Sequence, residues 1–440
     1  MSATIHEGDA LAILRTLPSD HYHGSLTDPP YGLSFMGHAW DHGVPSAEVW
    51  AEVLRCLRPG AHLLAFGGTR TFHRLTCAIE DAGFEIRDCM QWLYGSGFPK
   101  SHDVSKAIDR EAGAAREVVG PPTSGGSGQG NAYGNITRPP ATAPATAPAV
   151  QWSGHGTALK PAWEPIIVAR KPLDGTVAEN VQRWGCGGLA IDACRVGTSK
   201  DVPASAPKSV ALSVAMGASR DPGTGTGFDP TLGRWPANVI LDEEAGAMLD
   251  AQTEGKLHSA GPRQGPQAKW AKPSRPSVYG DGVGAGPCGA RFGDSGGASR
   301  FFQSCDFSTG EVEAGSASRF IYCPKASRSE RDAGLEEFEA AQSLYTRGTG
   351  LKANGDGSER SERSESRNIH PTVKPIALAR YLARLILPPV PDARMLTPFS
   401  GSGSEVIGAL QAGWSHVDGI DSWDVAVRIS RARIAHWSAQ

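Results

Sequence analysis

The segment Asp28-Pro29-Pro30-Tyr31 follows a short apolar stretch and combines residue types that suit the binding of a planar amine. Two consecutive prolines fix two φ angles and remove two N–H donors, so the segment can neither continue a strand nor start a helix freely. The Asp28 carboxylate and the Pro29 carbonyl could accept both N–H bonds of an exocyclic amine on a nucleobase, directing its lone pair toward an electrophile. Tyr31 could stack on an extruded base. The segment predicts a reaction centre; the alternative is a strand end terminated by prolines.

A glycine-rich turn near the carboxyl terminus, with the sequence FSGSGSE, is the second group that could bind a ligand. Gly401 and Gly403 would allow a ligand close to the backbone, and the following helix would offer free N–H groups to an anion. Asp421 ends the next strand-like stretch, where a doubly wound sheet binds a ribose hydroxyl. The spacing differs from G-x-G-x-x-G, which disfavours a nicotinamide dinucleotide. The turn and the acid together predict a nucleoside-containing ligand, whereas the turn alone would indicate packing.

Alternating helical and strand-like patterns surround both groups. Near the amino terminus they predict helices over 47–60 and 72–84 and strands over 61–68 and 85–95. Near the carboxyl terminus they predict a helix over 375–387, a strand, turn and helix over 393–413, a strand over 415–421 and a helix over 422–437. This alternation is typical of an α/β fold with a doubly wound sheet.

The middle of the chain has a different composition. The 440 residues include 54 glycines and 32 prolines, and low-complexity stretches fall at 120–150, 197–232 and 253–300. Ordered-looking islands lie between them, for example 158–173. We therefore predict three parts: a catalytic half over 1–99, an irregular inserted region over 100–368 and a ligand-binding half over 369–440.

Bulk composition excludes several classes of protein. The net charge of −3 gives no overall basic signal, so any nucleic-acid contact must come from a local patch. The eight cysteines show no C-x-x-C pairing, which favours reduced thiols and no metal site. No stretch reads as a secretory signal or a membrane span, so we expect a cytoplasmic protein.

Several segments, in this order, resemble one family: TDPPYG, WLYGSGFPKSHDVSKAID, HPTVKP and TPFSGSGS. The chain resembles the permuted, or beta-type, S-adenosylmethionine-dependent DNA amino-methyltransferases, specifically the phage- and prophage-associated methylases. In that type the DPPY half precedes the cofactor-binding half. The resemblance implies a Rossmann-like methyltransferase sheet with an inserted target-recognition region, and double-stranded DNA as the substrate. It leaves the oligomeric state open, with a homodimer as one possibility.

The resemblance also assigns roles to individual residues. Asp28, Pro29, Pro30 and Tyr31 would hold the target base. The cofactor would contact Asp9, Thr372, Lys374, Phe399, Gly401, Gly403 and Asp421, with no metal. Asp9 would approach the cofactor adenine, and the alternative is an ordinary helix-starting acid. Thr372 and Lys374 would contact the cofactor carboxylate, and the alternative is a capped helix with a solvated lysine.

The chain departs from the family at Thr397, where an aspartate usually precedes Pro-Phe. A charge that would attract the methionine ammonium is absent there, so a DNA-binding protein with a decayed cofactor site is one alternative. Because Asp heads the DPPY segment, we predict methylation of adenine N6; methylation of cytosine N4 is the other alternative.

The inserted region must supply the DNA contacts. Basic residues interleaved with aromatic ones suit phosphate contact and base stacking. Two such groups occur, one with Trp152, Lys160, Trp163, Arg170 and Lys171, and one with Lys325, Arg328 and Arg331. The alternative is scattered surface charge with buried tryptophans.

Overall fold

The structure is a computed structural model of the 440-residue chain. It describes residues 1–33, 42–95, 101–120, 140–195, 235–242, 245–246, 248–249, 303–304, 326–342, 365–370 and 372–438. No helix among these residues is long and apolar enough to cross a lipid bilayer.

Within the described residues, nine strands form one mixed sheet, in the order β1-β11-β10-β2-β3-β5-β4-β6-β7. Their bounds are β1 Ser2–Glu7, β2 Tyr22–Thr27, β3 Leu57–Phe66, β4 Glu85–Leu93, β5 Trp163–Arg170, β6 Val239–Leu241, β7 Gln303–Ser304, β10 Arg394–Thr397 and β11 His416–Asp421. The short strands β8 Ala341–Gln342 and β9 Glu365–Ser366 pair separately. All neighbours in the large sheet are parallel except those of β5, which is antiparallel to β3 and β4.

Helices cover both faces of this sheet. They are α1 Ala10–Leu14, α2 Ala47–Cys56, α3 Phe72–Asp81, α4 Val104–Glu111, α5 Ala147–Gln151, α6 Val177–Trp184, α7 Arg328–Asp332, α8 Ile376–Leu385, α9 Ser404–Ala412 and α10 Asp424–Ser438. One core cluster contains buried residues of α8, α9 and α10, and the other contains buried residues of α1, α2 and α3. Helices on both faces of a mostly parallel sheet confirm the predicted α/β, doubly wound fold.

The two ends of the chain meet inside the sheet. Strand β10 pairs with β2 through Met395 opposite Gly24, and β11 lies on the far side of β10. From β2 the chain proceeds to β3 in one direction, whereas from β10 it proceeds to β11 in the other. A doubly wound sheet binds ligands where the strand order reverses, so the gap between the ends of β2 and β10 is the expected site.

The predicted boundary after residue 99 does not coincide with an edge of the sheet. Strand β5 belongs to the region predicted as an insertion, yet it lies between β3 and β4, inside the sheet. The reason is its apolar run, whose residues Ile166, Ile167 and Ala169 are fully buried. The description of 100–368 as an irregular insertion is therefore corrected, because this region completes the sheet with β5, β6 and β7.

The helix predicted over 47–60 also needs a correction at its end. Helix α2 stops at Cys56, and β3 begins at Leu57 and runs through Pro59-Gly60. Gly60 has φ +80°, a left-handed conformation that a residue with a Cβ rarely adopts. The Pro-Gly pair therefore shapes the start of a strand.

Candidate active site

The carboxyl ends of β1, β2, β10 and β11 meet at one edge of the sheet because these strands are parallel. Asp28 follows β2, the glycine turn follows β10, and Asp421 ends β11. Strand β5 runs the opposite way, so its beginning, with Glu164, lies at the same edge. The structure thus brings the two predicted groups of residues together, although 373 sequence positions separate Asp28 from Gly401.

A hydrogen bond joins the two groups directly. The Phe399 backbone N–H, in the glycine turn, donates to the hydroxyl of Thr27, 3.3 Å away. Thr27 immediately precedes Asp28 and is fully buried. The Asp28 segment and the glycine turn are therefore held next to each other by neighbouring strands.

Both carboxylate oxygens of Asp28 have partners. The Tyr31 hydroxyl donates to Oδ1 at 2.8 Å, and the Lys374 ammonium lies 2.7 Å from Oδ2. Burial, and then the charge of Asp28, raise the pKa of Tyr31, so its hydroxyl stays protonated. The Tyr31 ring lies beside Gly68, where an added Cβ would come within 3.1 Å of it. The Asp28-Tyr31 segment is thus fixed by side chains from distant parts of the sequence.

Lys374 is a buried cation in this site, with 7% of its side chain exposed. Besides Asp28, it contacts the Tyr31 hydroxyl at 3.0 Å and Oε2 of Glu164 at 3.4 Å. Burial alone would lower the pKa of Lys374, but Asp28 and Glu164 outweigh it and raise the pKa above the ordinary value. The interpretation of Lys374 as a solvated lysine is wrong. In this structure the Lys374 ammonium contacts Asp28. Its contact with a cofactor carboxylate stays a prediction.

Two further carboxyl groups were missed by the sequence analysis. Glu405, in the first turn of α9, is buried, and burial together with the charge of Asp28 raises its pKa to about 7. Glu164 lies next to Lys374 and Tyr31. The one local signal that could have identified Glu405 was its position in the sequence directly after the glycine turn. Among the described residues that contact or act on Asp28 here, the carboxyl groups of Asp28, Glu164 and Glu405 outnumber the ammonium of Lys374.

The glycine turn depends on close packing at two positions. Gly401 has φ +48° and Gly403 has φ +84°, both in the left-handed region. A Cβ on Gly403 would lie 3.1 Å from Oγ of Ser430 on α10, and one on Gly401 would lie 3.1 Å from the ring of His370. These contacts explain why glycine occupies both positions without reference to any ligand.

Asp421 holds the turn through its carboxylate. Its Oδ2 accepts the N–H of Gly401 at 2.8 Å, and its Oδ1 accepts the N–H of Trp423 at 2.9 Å. Burial raises the pKa of Asp421, and these backbone hydrogen bonds oppose that rise. The predicted ribose contact stays a prediction, since a carboxylate oxygen can accept more than one hydrogen bond.

A second layer of buried charges supports the turn and helix α8. Arg433 donates to the carbonyl of Ser402 at 2.7 Å and to Oγ of Ser404 at 3.2 Å. Oε1 of Glu330 accepts the N–H of Ile376, the first residue of α8, at 2.6 Å. Burial raises the pKa of Glu330 to about 7. Glu330 from α7 therefore caps α8.

This arrangement leaves Thr372 outside the helix. The N-cap position of α8 is Pro375, and no side chain of the segment itself caps the helix. Thr372 is exposed, and its carbonyl accepts a hydrogen bond from Nδ1 of His370 at 2.6 Å. The interpretation of Thr372 as a helix cap is wrong, and its cofactor contact stays a prediction.

His370 lies between the glycine turn and α10 and was not predicted as a site residue. Its ring is 5.8 Å from the ring of Trp423 and covers Gly401. Burial lowers the pKa of His370 to about 4, so the ring is neutral at pH 7. HPTVKP was recognised as a motif, but nothing in the motif indicated that its histidine packs on the turn.

Asp9 begins helix α1, and its Oδ1 accepts the N–H of Ala12 at 2.9 Å. This is the capping role named as the alternative. Asp9 follows β1, whose last residue Glu7 pairs with Asp421. Asp9 is exposed near the same edge, and its contact with a cofactor adenine stays a prediction.

Most of the basic residues proposed for DNA contact bind within the protein. Lys171 pairs with Asp20 at 2.7 Å, Arg170 pairs with Glu85 at 2.6 Å, and Arg331 donates to the carbonyl of His370 at 3.0 Å. Lys160 donates to the carbonyl of Gly95, and Trp163 packs against Phe72. These contacts give each of these residues a structural role, and their contact with DNA stays a prediction. Lys325 lies outside the described residues, and Trp152 is 46% exposed.

Thr397, the residue that departs from the family pattern, is fully buried at the end of β10. Within the part of the chain that the structure describes, its Oγ1 has no hydrogen-bond partner. In the same part of the chain, no group of three or more His, Cys, Asp or Glu side chains is arranged to hold a metal ion.

Comparisons with known proteins place the chain among solved structures at low similarity. No family model matches it, and no curated protein matches it. M1.HpyAVI is 11% identical in its complex with SAM, with a TM-score of 0.33, and covers 98% of this chain and 100% of its own. TTHA0409 from Thermus thermophilus, complexed with S-adenosyl-L-methionine, is 12% identical, with a TM-score of 0.34 and coverages of 99% and 96%. The cytosine-N4-specific PvuII DNA methyltransferase is 11% identical, with a TM-score of 0.39 and coverages of 98% and 86%. Likeness at this level does not establish a shared activity.

Proposed function

We propose that this chain is an S-adenosylmethionine-dependent DNA methyltransferase that modifies the N6 amine of an adenine rotated out of double-stranded DNA. The observation that carries the proposal is the hydrogen bond from the Phe399 N–H to Thr27. It joins a predicted amine-binding segment to a predicted nucleoside-binding turn at the point where the strand order reverses. Each group alone has a structural explanation, but their juxtaposition supports a transfer reaction between two bound molecules.

The residues at the glycine turn suit a positively charged cofactor. Asp28, Glu164 and Glu405 place more negative charge at this edge than Lys374 neutralises. S-adenosylmethionine supplies an electrophilic methyl group on a cationic sulfur. The acidic cluster would favour that cation, and the turn of Gly401 and Gly403 would accommodate the part of the cofactor nearest the backbone.

The Asp28 segment would orient the amine of the target base. The donors from Tyr31 and Lys374 fix the Asp28 carboxylate, and each of its oxygens retains room for a further hydrogen bond. One amine N–H would donate to Asp28 and the other to the Pro29 carbonyl. Positive charge develops on the nitrogen as the new bond forms, and Asp28, Glu164 and Glu405 would stabilise it. Lys374 is a positioning residue in this proposal, because it would act through Asp28.

DNA would approach the same edge of the sheet. Strand β4 ends at that edge and β5 begins there. The chain between these two strands includes residues 101–120 and 140–160. We infer that this part of the predicted 100–368 region contributes to target recognition. The exposed indole of Trp152 is its candidate for stacking on a base.

Mass spectrometry of nucleosides from DNA treated with the protein and S-adenosylmethionine tests the proposal. N6-methyladenine is the expected product. N4-methylcytosine alone would contradict the choice of base while retaining the transfer reaction. No methylated base of either kind would contradict the proposed function.

Thr397 motivates a separate test of the cofactor site. Its buried hydroxyl has no partner within the described residues, so it could donate to a bound molecule. Calorimetric titration with S-adenosylmethionine should show saturable binding. Absence of binding, combined with retained binding to duplex DNA, would favour the decayed-site alternative.

A further inference from the structure

A cavity of about 320 Å³ opens at the edge of the sheet opposite to the candidate active site. Its walls come from the beginnings of three neighbouring strands, β2, β3 and β10, and from the loop before β10. The lining residues are His23, Arg58, Val390, Pro391, Asp392 and Arg394. Strand β2 runs from this cavity to Asp28, so the two sites are about 20 Å apart.

Two arginines line this cavity, and neither has a counter-charge in contact among the described residues. Within the described parts of the chain, neither Arg58 nor Arg394 lies in an ion pair with a carboxylate. Arg58 donates to the carbonyl of Trp184 at 3.2 Å, while its Nε is buried and has no hydrogen-bond partner there. Two cations that line one cavity repel each other, and an anion bound between them would offset this repulsion.

His23 supplies a third donor. Only 4% of this residue is exposed, and its Nδ1 accepts the backbone N–H of Arg394 at 3.1 Å. A neutral imidazole that accepts at Nδ1 carries its proton on Nε2. Burial and the charges of Arg58 and Arg394 lower the pKa of His23 to about 4, so the ring is neutral at pH 7. Its Nε2–H has no hydrogen-bond acceptor among the described residues.

We propose that this cavity binds the phosphate group of a phosphorylated ligand, through the guanidinium groups of Arg58 and Arg394 and the Nε2–H of His23. Arginine forks and an imidazole donor match the acceptor oxygens of phosphate. Among the described residues of the lining, Asp392 is the one carboxylate, and it is exposed. Two arginines against one aspartate leave the cavity with a net positive charge. The inference does not depend on the proposed methyltransferase function.

Titration of the full chain with inorganic phosphate, followed by calorimetry, tests the proposal. Arg394→Gln removes one guanidinium but retains the backbone N–H that orients His23. We expect saturable binding to the unmodified protein and affinity weaker by about tenfold in Arg394→Gln. Arg384→Gln is the matched control, because Arg384 is an exposed arginine on α8 outside the cavity. No binding by the unmodified protein, or equal effects of the two substitutions, would overturn the proposal.

The same variants distinguish the two sources of a phosphate group. Adenosine monophosphate represents a free phosphorylated molecule, and a short DNA duplex represents backbone phosphate. Weaker binding of the nucleotide alone in Arg394→Gln would assign the cavity to a small ligand. Weaker binding of the duplex would assign the cavity to the DNA backbone, provided that the slope of the logarithm of the binding constant against the logarithm of salt concentration also falls by about one. If Arg394→Gln changes neither affinity, the cavity is not a site for a phosphorylated ligand.

Discussion

The two halves of the candidate active site are held by different kinds of interaction. The Asp28 segment depends on charged side chains, since Lys374 and Tyr31 occupy its carboxylate. The glycine turn is also held by Asp421 and Arg433, but it depends in addition on backbone conformation and on contacts that leave no space for a Cβ. The first half should therefore respond mainly to changes of charge, and the second mainly to changes of volume.

The largest expected effect is in the charged half. Asp28→Ala removes the carboxylate proposed to accept the target amine, and we expect methyl transfer to fall by at least about 100-fold. Binding of S-adenosylmethionine should change far less, because the glycine turn does not use this side chain and the carboxyl groups of Glu164 and Glu405 remain beside it. Methyl incorporation into DNA and calorimetry measure the two quantities. Asp192→Ala, at an exposed carboxylate, is the control, and retained transfer in Asp28→Ala would refute the role.

Lys374→Met tests to which half of the site Lys374 belongs. The resemblance assigns Lys374 to the cofactor, whereas the structure pairs it with Asp28. If it acts through Asp28, kcat should fall by about 10-fold to 100-fold with little change in the Kd of the cofactor. Lys106→Met, at an exposed lysine, controls for the loss of an ammonium. A weaker cofactor Kd with an unchanged kcat would instead support the role implied by the resemblance.

Gly403→Ala tests the glycine turn, where little space is left for a side chain. The left-handed backbone costs an alanine about 1 kcal/mol, and its Cβ would also approach Ser430 to 3.1 Å. Gly113 has a similar φ of +65°, but nothing lies within 4 Å of an added Cβ. Gly113→Ala therefore isolates the backbone cost. Chemical denaturation should show a greater loss of unfolding free energy for Gly403→Ala, and equal losses would contradict the packing argument.

The last effect appears only when the pH is changed, and it concerns the acid that caps α8. Glu330 has a folded-state pKa of about 7, above its ordinary value of 4.5, so the folded protein binds more protons than the unfolded chain between these values. This group's contribution to stability should fall as pH rises from 4.5 to 7, by up to about 1.4 kcal/mol per pH unit. Glu330→Gln should flatten that slope while retaining an acceptor for Ile376. Glu80→Gln, at an exposed position, should leave the slope unchanged, and an identical slope in Glu330→Gln would contradict the prediction.

Local patterns predicted the parts of the site that are continuous in sequence. Asp28-Tyr31 and the glycine turn are each rigid for reasons visible in the residue types, and parallel strands bring their ends to one edge. The pairing of Lys374 with Asp28 joins positions 346 residues apart, so no local pattern reports it. The packing of His370 on Gly401 was missed for the same reason.

The errors in the fold also have physical causes. The apolar run of β5 predicts burial. It does not distinguish a central antiparallel strand of the main sheet from an ordered stretch within an insertion. Arg170, Lys171 and Arg331 looked like surface cations because their partners lie elsewhere in the chain. An isolated basic residue in a sequence carries no information about which carboxylate or carbonyl it will meet.

The pairing of β2 with β10 has a consequence for how this chain can vary. The halves of the site are joined through neighbouring strands, so their distance is fixed by the sheet and not by the length of chain between them. A change in the length of the chain between β2 and β10 should therefore leave the position of Asp28 relative to Gly401 unchanged as long as the two strands remain paired. Two polypeptides, one ending after β6 and the other beginning before β7, should therefore reassemble a site of the same geometry when they are produced together.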